Sequence, residues 1–303
     1  MQSQNQPLVS VIIPCYNHAQ FIQDCIQSVI DQTYANIELI IIDDGSRDQS
    51  VEKIKEMLEK CKERFTRFEF KHRSNRGVSA TLNEALECCE GEYITFLASD
   101  DIYHKDKVLK QTYFLINNSS VKFVISHSYV INDLNEILDL QTQNYNLDLT
   151  DEITFEDILT FKTHLPVTGM YSSELIKNKL KGFDPNITAE DYDIYLRISK
   201  ITKIYVIQEN LYYYRSPEAL GEDRKRKPMR VDVSESHFNT IQKYKNNKNY
   251  SIAMNEWNFR RFIFFSSYKS TKIYALRGMF GSLNKVANLQ FFRSLFKLVF
   301  IWK

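Results

Sequence analysis

The stretch Val9-Ser10-Val11-Ile12-Ile13-Pro14-Cys15-Tyr16-Asn17 joins a β-branched apolar run to a polar segment that begins at a proline. Such a run, ended by proline, is typical of a buried strand. The apolar residues that follow at helical spacing are Phe21, Cys25, Ile26, Val29 and Ile30. The sequence therefore starts with a strand followed directly by an amphipathic helix, which is the unit of a parallel sheet.

The strand and helix unit recurs through the first hundred residues. The run Glu38-Leu39-Ile40-Ile41-Ile42 ends at Asp43-Asp44-Gly45, and Tyr93-Ile94-Thr95-Phe96-Leu97 ends just before Asp100-Asp101. A shorter strand is predicted at residues 67–71. Apolar strands that alternate with amphipathic helices predict a mostly parallel α/β sheet covered on both faces. Ligands of such sheets bind beyond the carboxyl ends of the strands, where the polar clusters lie.

The alternation weakens after residue 122. Residues 123–125 and 129–131 are predicted to form a strand pair, residues 141–151 a surface loop, and residues 190–199 the start of a helix. Two strands are predicted at residues 204–207 and 212–214. A charged linker follows at residues 217–228, and the remainder is predicted to be helical.

Composition limits the class of protein. The 303 residues are 43% hydrophobic and 25% charged, which indicates a folded chain with a substantial core rather than a disordered one. The cysteines are odd in number and lack zinc-like spacing, which predicts reduced thiols in a cytosolic protein. They are Cys15, Cys25, Cys61, Cys88 and Cys89. No signal peptide core or bilayer-spanning run is expected, so a cytoplasmic location is predicted.

Polar side chains follow the first two predicted strands. Tyr16 can stack on a base and Asn17 can hydrogen-bond to it, although an ordinary turn with a helix cap at Asn17 is the better explanation when this segment is taken alone. A carboxylate of Asp43 or Asp44 can accept a hydrogen bond from a base or a ribose hydroxyl. The alternative for these two acids is a glycine turn that caps the next helix.

Two further clusters precede helices. Arg76 suits a phosphate or a base carbonyl, and its alternative role is that of a solvated loop arginine. Ser99-Asp100-Asp101 follows a buried strand, where adjacent carboxylates repel each other unless a divalent cation binds them. Asp101 also suits a helix N-cap, so Asp100 is the favoured metal ligand.

Three acids, Glu190, Asp191 and Asp193, open the last helix before the linker. A helix dipole favours acids at this position, and a carboxylate there can also act as a general base toward a sugar hydroxyl. The sequence contains no GxGxxG, Walker or GxSxG motif, which argues against the corresponding oxidoreductases, NTPases and hydrolases.

Taken in order, these clusters resemble the family-2 glycosyltransferases of the GT-A fold. The similarity extends over about residues 8–215. It implies a GT-A (Rossmann-like), mostly parallel sheet flanked by helices, with a helical C-terminal extension. The resulting division is a catalytic domain at residues 1–215, with a donor half at about 8–101 and an acceptor half at about 102–215, and a linker with a basic, aromatic-rich tail at 216–303.

The resemblance also implies roles for single residues. Asp191 would be the catalytic base of an inverting transfer, Asp100 and Asp101 would hold Mn²⁺ or Mg²⁺, and Glu190 and Arg215 would support the acceptor. The donor, a nucleotide-sugar and most often a UDP-sugar, would bind a set of residues at the strand ends. They are Pro14, Tyr16, Asn17, Asp43, Asp44, Arg76 and Ser99.

The tail after Trp257 has no acidic residue, while Arg293, Lys297 and Lys303 lie among its aromatic residues. This pattern predicts a helix in an anionic membrane interface, and hence a peripheral protein on the inner face of the cell membrane that acts on a saccharide or lipid-linked acceptor. The alternatives are packing on the catalytic domain and a homodimer contact. No nucleic-acid partner is expected.

The leading prediction is an enzyme that builds bacterial surface polysaccharide. Ala98 stands where the family's D-x-D motif has its first Asp. This difference motivates the alternative of a non-catalytic sugar-nucleotide-binding or scaffold protein with the same fold. A nucleotidyltransferase, a third candidate, usually has a glycine-rich basic loop, which is absent after Ile13.

Overall fold

The computed structural model describes residues 6–216 and 230–301 of the chain. The strands in these residues are β1 (Val9–Cys15), β2 (Ile37–Asp43), β3 (Arg67–His72), β4 (Tyr93–Phe96), β5 (Ile102–Tyr103), β6 (Phe123–Ile131), β7 (Glu152–Ile153), β8 (Met170–Ser172) and β9 (Ile204–Arg215). They form one sheet in the order β3-β2-β1-β4-β8-β6-β9-β5, with β7 paired to β9.

Helices cover this sheet. They are α1 (Ile22–Ile30), α2 (Ser50–Lys55), α3 (Leu58–Arg64), α4 (Val78–Cys88), α5 (Lys107–Asn117), α6 (Asp139–Asn146), α7 (Phe155–Leu159), α8 (Glu190–Ser199), α9 (Val231–Gln242), α10 (Tyr250–Phe265), α11 (Lys272–Phe280) and α12 (Leu289–Phe300). Short helical turns are formed by Glu174–Lys179, Lys269–Thr271 and Leu283–Lys285.

The α/β prediction is confirmed, and β1 to β4 pair in parallel as expected. Beyond β4 the sheet becomes mixed, because β8 runs antiparallel to both β4 and β6. β6 and β9 are again parallel. The carboxyl ends of β1, β2 and β4 therefore lie side by side, and the polar segments that follow these strands meet at one edge of the sheet.

Three predictions in the middle of the chain were wrong. The two strands predicted at residues 204–207 and 212–214 are the single strand β9. Residues 123–131 form the single strand β6 rather than a strand pair, because the polar residues between the apolar runs still pair with β9 through a register shift at His127. Part of the predicted loop at residues 141–151 is helix α6. This helix shows little apolar periodicity, and polar bonds attach it to β6: Val130 N–H donates to Thr142 Oγ1 (2.9 Å), and Ser128 N–H donates to Asn146 Oδ1 (3.0 Å).

Alternating strand residues divide the core between the two faces of the sheet. Ile12 belongs to the hydrophobic cluster that α4 and α8 cover, whereas Ile13 belongs to the cluster under α1. α9 and α10 extend the first cluster with Ile241 and Trp257. α9 and α10 therefore share a hydrophobic core with the sheet, while α11 and α12 pack in a separate cluster with α10. The division of the chain at residue 215 stays a prediction.

A buried carboxylate holds the opposite edge of the sheet. Glu38, at the start of β2, is fully buried and accepts hydrogen bonds from Ser10 Oγ, from the backbone N–H groups of Glu90 and Gly91, and from Arg67 Nη1 at 2.7 Å. A buried charge is tolerated when it is paired and fully hydrogen-bonded in this way. The contact joins the first three strands to the turn before β4.

Replacement of this acid tests the contribution of the network to stability. We expect Glu38→Ala to lower the free energy of unfolding by about 3–5 kcal/mol, because the Arg67 charge and two backbone N–H groups lose their shared partner. Glu90→Ala is the matched control: its side chain is exposed and approaches Arg67 only at 3.8 Å, so a change within about 0.5 kcal/mol is expected. Urea denaturation measures the free energy of unfolding of both variants. An equal loss in Glu38→Ala and Glu90→Ala would contradict the role assigned to Glu38.

Candidate functional site

A cavity of about 670 Å³ lies beyond the carboxyl ends of β1, β2 and β4. We call it the strand-end cavity. Six of the residues predicted for the donor and metal line it: Pro14, Tyr16, Asp44, Arg76, Ser99 and Asp100. Tyr16 is 41% exposed and offers a free ring face at this edge. The structure thus brings most of the predicted strand-end residues together in one place.

Asn17 and Asp43 lie behind the cavity and hold its loops. Asn17 adopts a left-handed backbone conformation (φ 56°), its N–H donates to Ser46 Oγ (2.8 Å), and its Oδ1 accepts from the N–H of Arg47 (2.7 Å). The buried Asp43 accepts from the N–H groups of Gly45 and Ser46 and lies 2.8 Å from His72 Nδ1. In this arrangement both side chains fix the loops after β1 and β2.

Asp44 is nearly buried and organises the loop that carries Arg76. Its carboxylate accepts from the backbone N–H groups of Arg76 (2.8 Å) and Gly77 (2.9 Å), and it is paired with the guanidinium of Arg73. Arg73 also donates to Glu84 Oε2 (2.7 Å) and Thr81 Oγ1 (3.0 Å) on α4. Bidentate and charge-assisted contacts of this kind fix the orientation of a loop.

Asp100 offers a carboxylate to the strand-end cavity. Its side chain is 28% exposed, and no described residue donates a hydrogen bond to its carboxylate oxygens. His18 lies beside it, with Nδ1 3.8 Å from Asp100 Oδ1 and 2.8 Å from Ser99 Oγ. A carboxylate with free lone pairs at a cavity wall suits a hard cation that shares its remaining ligands with phosphate oxygens.

Asp101 points away from the cavity. It is buried, and its oxygens accept from Tyr212 Oη (2.8 Å) and from the N–H of Arg215 (2.7 Å). Burial, followed by the charge of Asp100, raises the pKa of the Asp101 carboxyl well above its usual range. The structure therefore separates the two predicted metal ligands and leaves Asp100 alone at the cavity wall.

Arg215, the last residue of β9, is 2% exposed and supports the turn that carries Asp100. Its Nε donates to the carbonyl of Asp100 (2.6 Å), and its other nitrogens bind the carbonyl of Asn132 and Oδ1 of Asn135. The guanidinium also stacks over the ring of Phe21 at 4.4 Å. Arg215 thus positions the backbone of Asp100 and does not line the strand-end cavity.

Asp191 lines a second cavity of about 460 Å³, which we call the α8 cavity because Asp191 lies in the first turn of that helix. Asp191 Oδ1 accepts from the N–H of Tyr192 (2.7 Å), and no described residue donates to Oδ2. The neighbouring Glu190 does not line either cavity, and burial together with the charge of Asp191 raises its pKa to about 7. The third acid, Asp193, is buried in ion pairs with Arg197 (2.8 Å) and Lys243 (2.7 Å).

Two histidines share the α8 cavity with Asp191. Burial lowers the pKa of His237 to about 4 and also lowers the pKa of His164, although the charge of Asp191 opposes both shifts. Both imidazoles are consequently neutral at neutral pH, and each can donate one hydrogen bond and accept another. Neutral imidazoles beside a carboxylate are suited to binding hydroxyl groups.

The sequence did not single out several residues that line or support these cavities. Arg73 directly follows the end of β3, and His18 follows Asn17, so the strand-end rule provided a signal for both. His164, His237 and Arg260 have no spacing that relates them to Asp191, and they meet only in the folded chain. Arg230 and Asp232, at the start of α9, complete the wall of the strand-end cavity from a segment predicted only as helical.

Comparisons with known proteins place the chain in a family. The sequence model described as Glycosyl transferase family 2 matches residues 10–176. An uncharacterized glycosyltransferase of Haemophilus influenzae is 37% identical over 200 residues, which cover 66% of this chain and 74% of that protein. The putative teichuronic acid biosynthesis glycosyltransferase TuaG of Bacillus subtilis is 38% identical over 128 residues, which cover 42% of this chain and 50% of TuaG.

Solved structures share the fold. Residues 1–349 of S. aureus TarS in complex with UDP-GlcNAc align with a TM-score of 0.63 and 20% identity, over 96% of this chain and 80% of that one. The mannosyltransferase PcManGT from Pyrobaculum calidifontis, in complex with GDP-Man and Mn²⁺, aligns with a TM-score of 0.61 and 14% identity, over 94% and 76%. The fold is that of the GT-A glycosyltransferases. The family match covers residues 10–176, which is more than half of the chain and includes most of the residues of the strand-end cavity. This chain therefore belongs to glycosyl transferase family 2.

Proposed function

We propose that the protein is a metal-dependent, inverting glycosyltransferase that moves a sugar from a nucleotide-sugar, a UDP-sugar, to a hydroxyl of a saccharide or lipid-linked acceptor. One observation carries the proposal: Asp100 in the strand-end cavity and Asp191 in the α8 cavity each present a carboxylate oxygen without a hydrogen-bond partner among the described residues. A donor site and an acceptor site each need such a group. The product would be a bacterial surface polysaccharide.

The strand-end cavity would hold the donor. The exposed ring of Tyr16 suits stacking on the base, and Asp44 holds the backbone of Arg76 so that its guanidinium, 61% exposed, can reach base or phosphate oxygens. Arg230 adds a second guanidinium to the wall, where it is paired with the carboxylate of Asp232. Two cations beside the diphosphate would stabilise the negative charge that develops on the leaving group.

The residues at the strand-end cavity fit Mn²⁺ or Mg²⁺ through Asp100. Among the residues that the structure describes, no group of three His, Cys, Asp or Glu side chains forms a complete metal site. A single carboxylate is nevertheless a common protein contribution to these cations when substrate phosphates supply other ligands. When bound, the cation would act as a Lewis acid on the diphosphate.

Asp191 would accept the proton of the acceptor hydroxyl. Its position in the first turn of α8 favours the negative charge, and its free Oδ2 faces no competing donor among the described residues. The deprotonated oxygen would then attack the anomeric carbon from the face opposite the diphosphate, which inverts the configuration. Glu190, with a pKa near 7, would carry only a partial charge at neutral pH and would add little repulsion.

The comparisons support this proposal at the level of reaction class. The TarS structure contains UDP-GlcNAc, the PcManGT structure contains GDP-Man and Mn²⁺, and TuaG is named for teichuronic acid biosynthesis. The alternative, a non-catalytic protein that binds sugar nucleotides, is motivated by Ala98, which also lines the strand-end cavity. Turnover measurements separate these two possibilities.

Replacement of the proposed base is expected to abolish transfer. Asp191→Asn should reduce turnover by about 10²–10⁴-fold, because the proton acceptor is lost, while donor binding is retained. Nucleoside diphosphate release from UDP-, dTDP- and GDP-sugars, with crude lipid-linked acceptors present, measures the effect. Asp148→Asn, an exposed aspartate outside both cavities, is the control. Equal turnover in Asp191→Asn and the wild type would remove Asp191 from the base role, and absence of turnover in the wild type would favour the non-catalytic alternative.

Replacement of the proposed metal ligand tests the donor site separately. We expect Mn²⁺ to tighten UDP binding to the wild type by at least about tenfold, and we expect Asp100→Asn to abolish this enhancement because the protein ligand is lost. Calorimetric titration of each protein with UDP, with and without Mn²⁺, measures the change in UDP affinity, and Asp148→Asn again serves as the control. The same enhancement in Asp100→Asn would show that the cation binds without this carboxylate.

The tail has an unusual surface. Eleven of the 22 exposed large hydrophobic side chains among the described residues lie between residues 273 and 300. On α12 one face packs on α10 through Phe291 and Phe262 (ring centroids 4.9 Å apart), while the other exposes Phe292, Phe296 and Phe300. The packing alternative for the tail therefore accounts for only one side of this helix.

We infer that the exposed faces of α11 and α12 bind an anionic membrane surface. Arg293 and Lys297 lie among the exposed aromatic side chains of α12, as is typical of helices that rest in a lipid interface. No helix in residues 6–216 and 230–301 is both long and apolar enough to cross a bilayer. Trp302 and Lys303, which the sequence also assigned to this pattern, lie outside the described residues. Membrane contact would bring a lipid-linked acceptor to the enzyme.

A single charge on the exposed face tests this inference. Phe296→Glu should reduce sedimentation with vesicles of phosphatidylglycerol at least severalfold, because an acidic group would be pressed against anionic lipid. Gln290→Glu adds the same charge at an exposed polar position of α12 and should have a smaller effect. Unchanged sedimentation of Phe296→Glu would contradict membrane binding, and loss of a dimer in ultracentrifugation would favour the homodimer alternative instead.

A further inference from the structure

Arg260 projects from the C-terminal extension into the cavity of the proposed base. It lies on α10 and is the only arginine or lysine among the described residues that line the α8 cavity. Its Nη2 donates to the carbonyl of Phe161 (2.9 Å), and its guanidinium lies over the ring of the same residue at 4.8 Å. Phe161 has a left-handed backbone (φ 54°), which non-glycine residues rarely adopt. Arg260 is therefore fixed against a strained loop.

The positive charge of Arg260 is only partly compensated. The nearest carboxylate is Glu256, whose Oε1 lies 3.8 Å from Arg260 Nε, and Lys285 Nζ binds the other oxygen of Glu256 at 2.9 Å. One carboxylate thus serves two cations. Arg260 Nε is buried and has no hydrogen-bond partner among the described residues. A buried donor left without a partner is costly, and Nη1 also donates to no described residue, so the guanidinium keeps donor capacity that a ligand can use.

The remaining walls of the α8 cavity are largely aromatic. The rings of Phe161 and Tyr192 stack 4.8 Å apart, and His237 meets both edge-on. Flat aromatic faces and a small number of polar groups are typical of sites that orient a small organic ligand. Asp191 is at the same cavity, so the walls combine a proton acceptor, rings and one cation.

From this combination we propose that the acceptor carries an anionic group, a carboxylate or a phosphate, which the guanidinium of Arg260 binds while a neighbouring hydroxyl reaches Asp191. The planar guanidinium matches the geometry of either anion and binds it in a bidentate manner. The proposal rests on the proposed function, since it assigns the α8 cavity to the acceptor. It also gives the C-terminal extension a direct part in acceptor selection.

Small anions test the site without knowledge of the acceptor. The protein is first saturated with UDP and Mg²⁺, which is diamagnetic, so that the strand-end cavity is filled, and the imidazole NMR signals of His237 are then followed. Glucuronate and glycerol 1-phosphate are compared with their neutral counterparts glucose and glycerol. We expect the anions to shift the His237 signals and the neutral compounds to shift them little. The anion that binds more tightly shows whether the acceptor carries a carboxylate or a phosphate.

Variants at residue 260 assign the effect. Arg260→Gln should weaken binding of the anions by about tenfold, Arg260→Lys should retain part of it, and Lys245→Gln, which removes an exposed charge from the turn before α10, should leave it unchanged. Thermal denaturation confirms that each variant is folded. Absence of a shift with either anion, equal shifts with the neutral compounds, or full binding by Arg260→Gln would overturn the proposal. Failure of UDP to bind would instead count against the proposed function.

Discussion

The buried guanidinium of Arg215 is the contact on which the arrangement of the site depends. It joins the end of β9 to the turn after β4, to the segment after β6 and to Phe21 before α1. A buried arginine is stable only when hydrogen bonds and rings replace its water, and each of these partners does so here. The backbone of Asp100 is thereby held at the cavity wall while its carboxylate remains available. Both carboxylate oxygens of the neighbouring Asp101 accept hydrogen bonds from residues of β9.

The two cavities are built by different parts of the chain. The strand-end cavity depends on loops after parallel strands, whose positions follow from the sheet itself, and on Asp44 and Arg73 to order the Arg76 loop. The α8 cavity depends on packing between α8, the loop around Phe161, and α9 and α10. The extension after residue 230 therefore belongs to the proposed acceptor side as much as the sheet does. Its outer helices, by contrast, expose apolar faces that the sheet does not cover.

The sequence allowed the first half of the fold and most of the strand-end cavity to be predicted. Pro14, Tyr16 and Asp100 follow apolar runs, and the geometry of parallel strands brings such residues together without further information. The orientation of the acids was harder to foresee: Asp43 and Asp101 have the same local pattern as Asp44 and Asp100, yet only Asp44 and Asp100 line the cavity. Arg260 gave no signal at all, because its relation to Asp191 arises only when α8, α9 and α10 come together around the α8 cavity. The strands β6 and β9 were divided into pieces because polar residues interrupt their apolar pattern.

The parallel pairing of β6 with β9 has a consequence for biosynthesis. Ile131 pairs with Arg215 only after the intervening chain, including β8 and α8, has been accommodated, and closing so long a loop has an entropic cost. Pairings of this kind form slowly, and domains emerge from the ribosome beginning with the N-terminal end. The strands β1 to β4 can associate early, while the edge of β4 stays open until β8 arrives. During translation that open edge can pair with other chains until β8 covers it, so this interval carries the risk of aggregation.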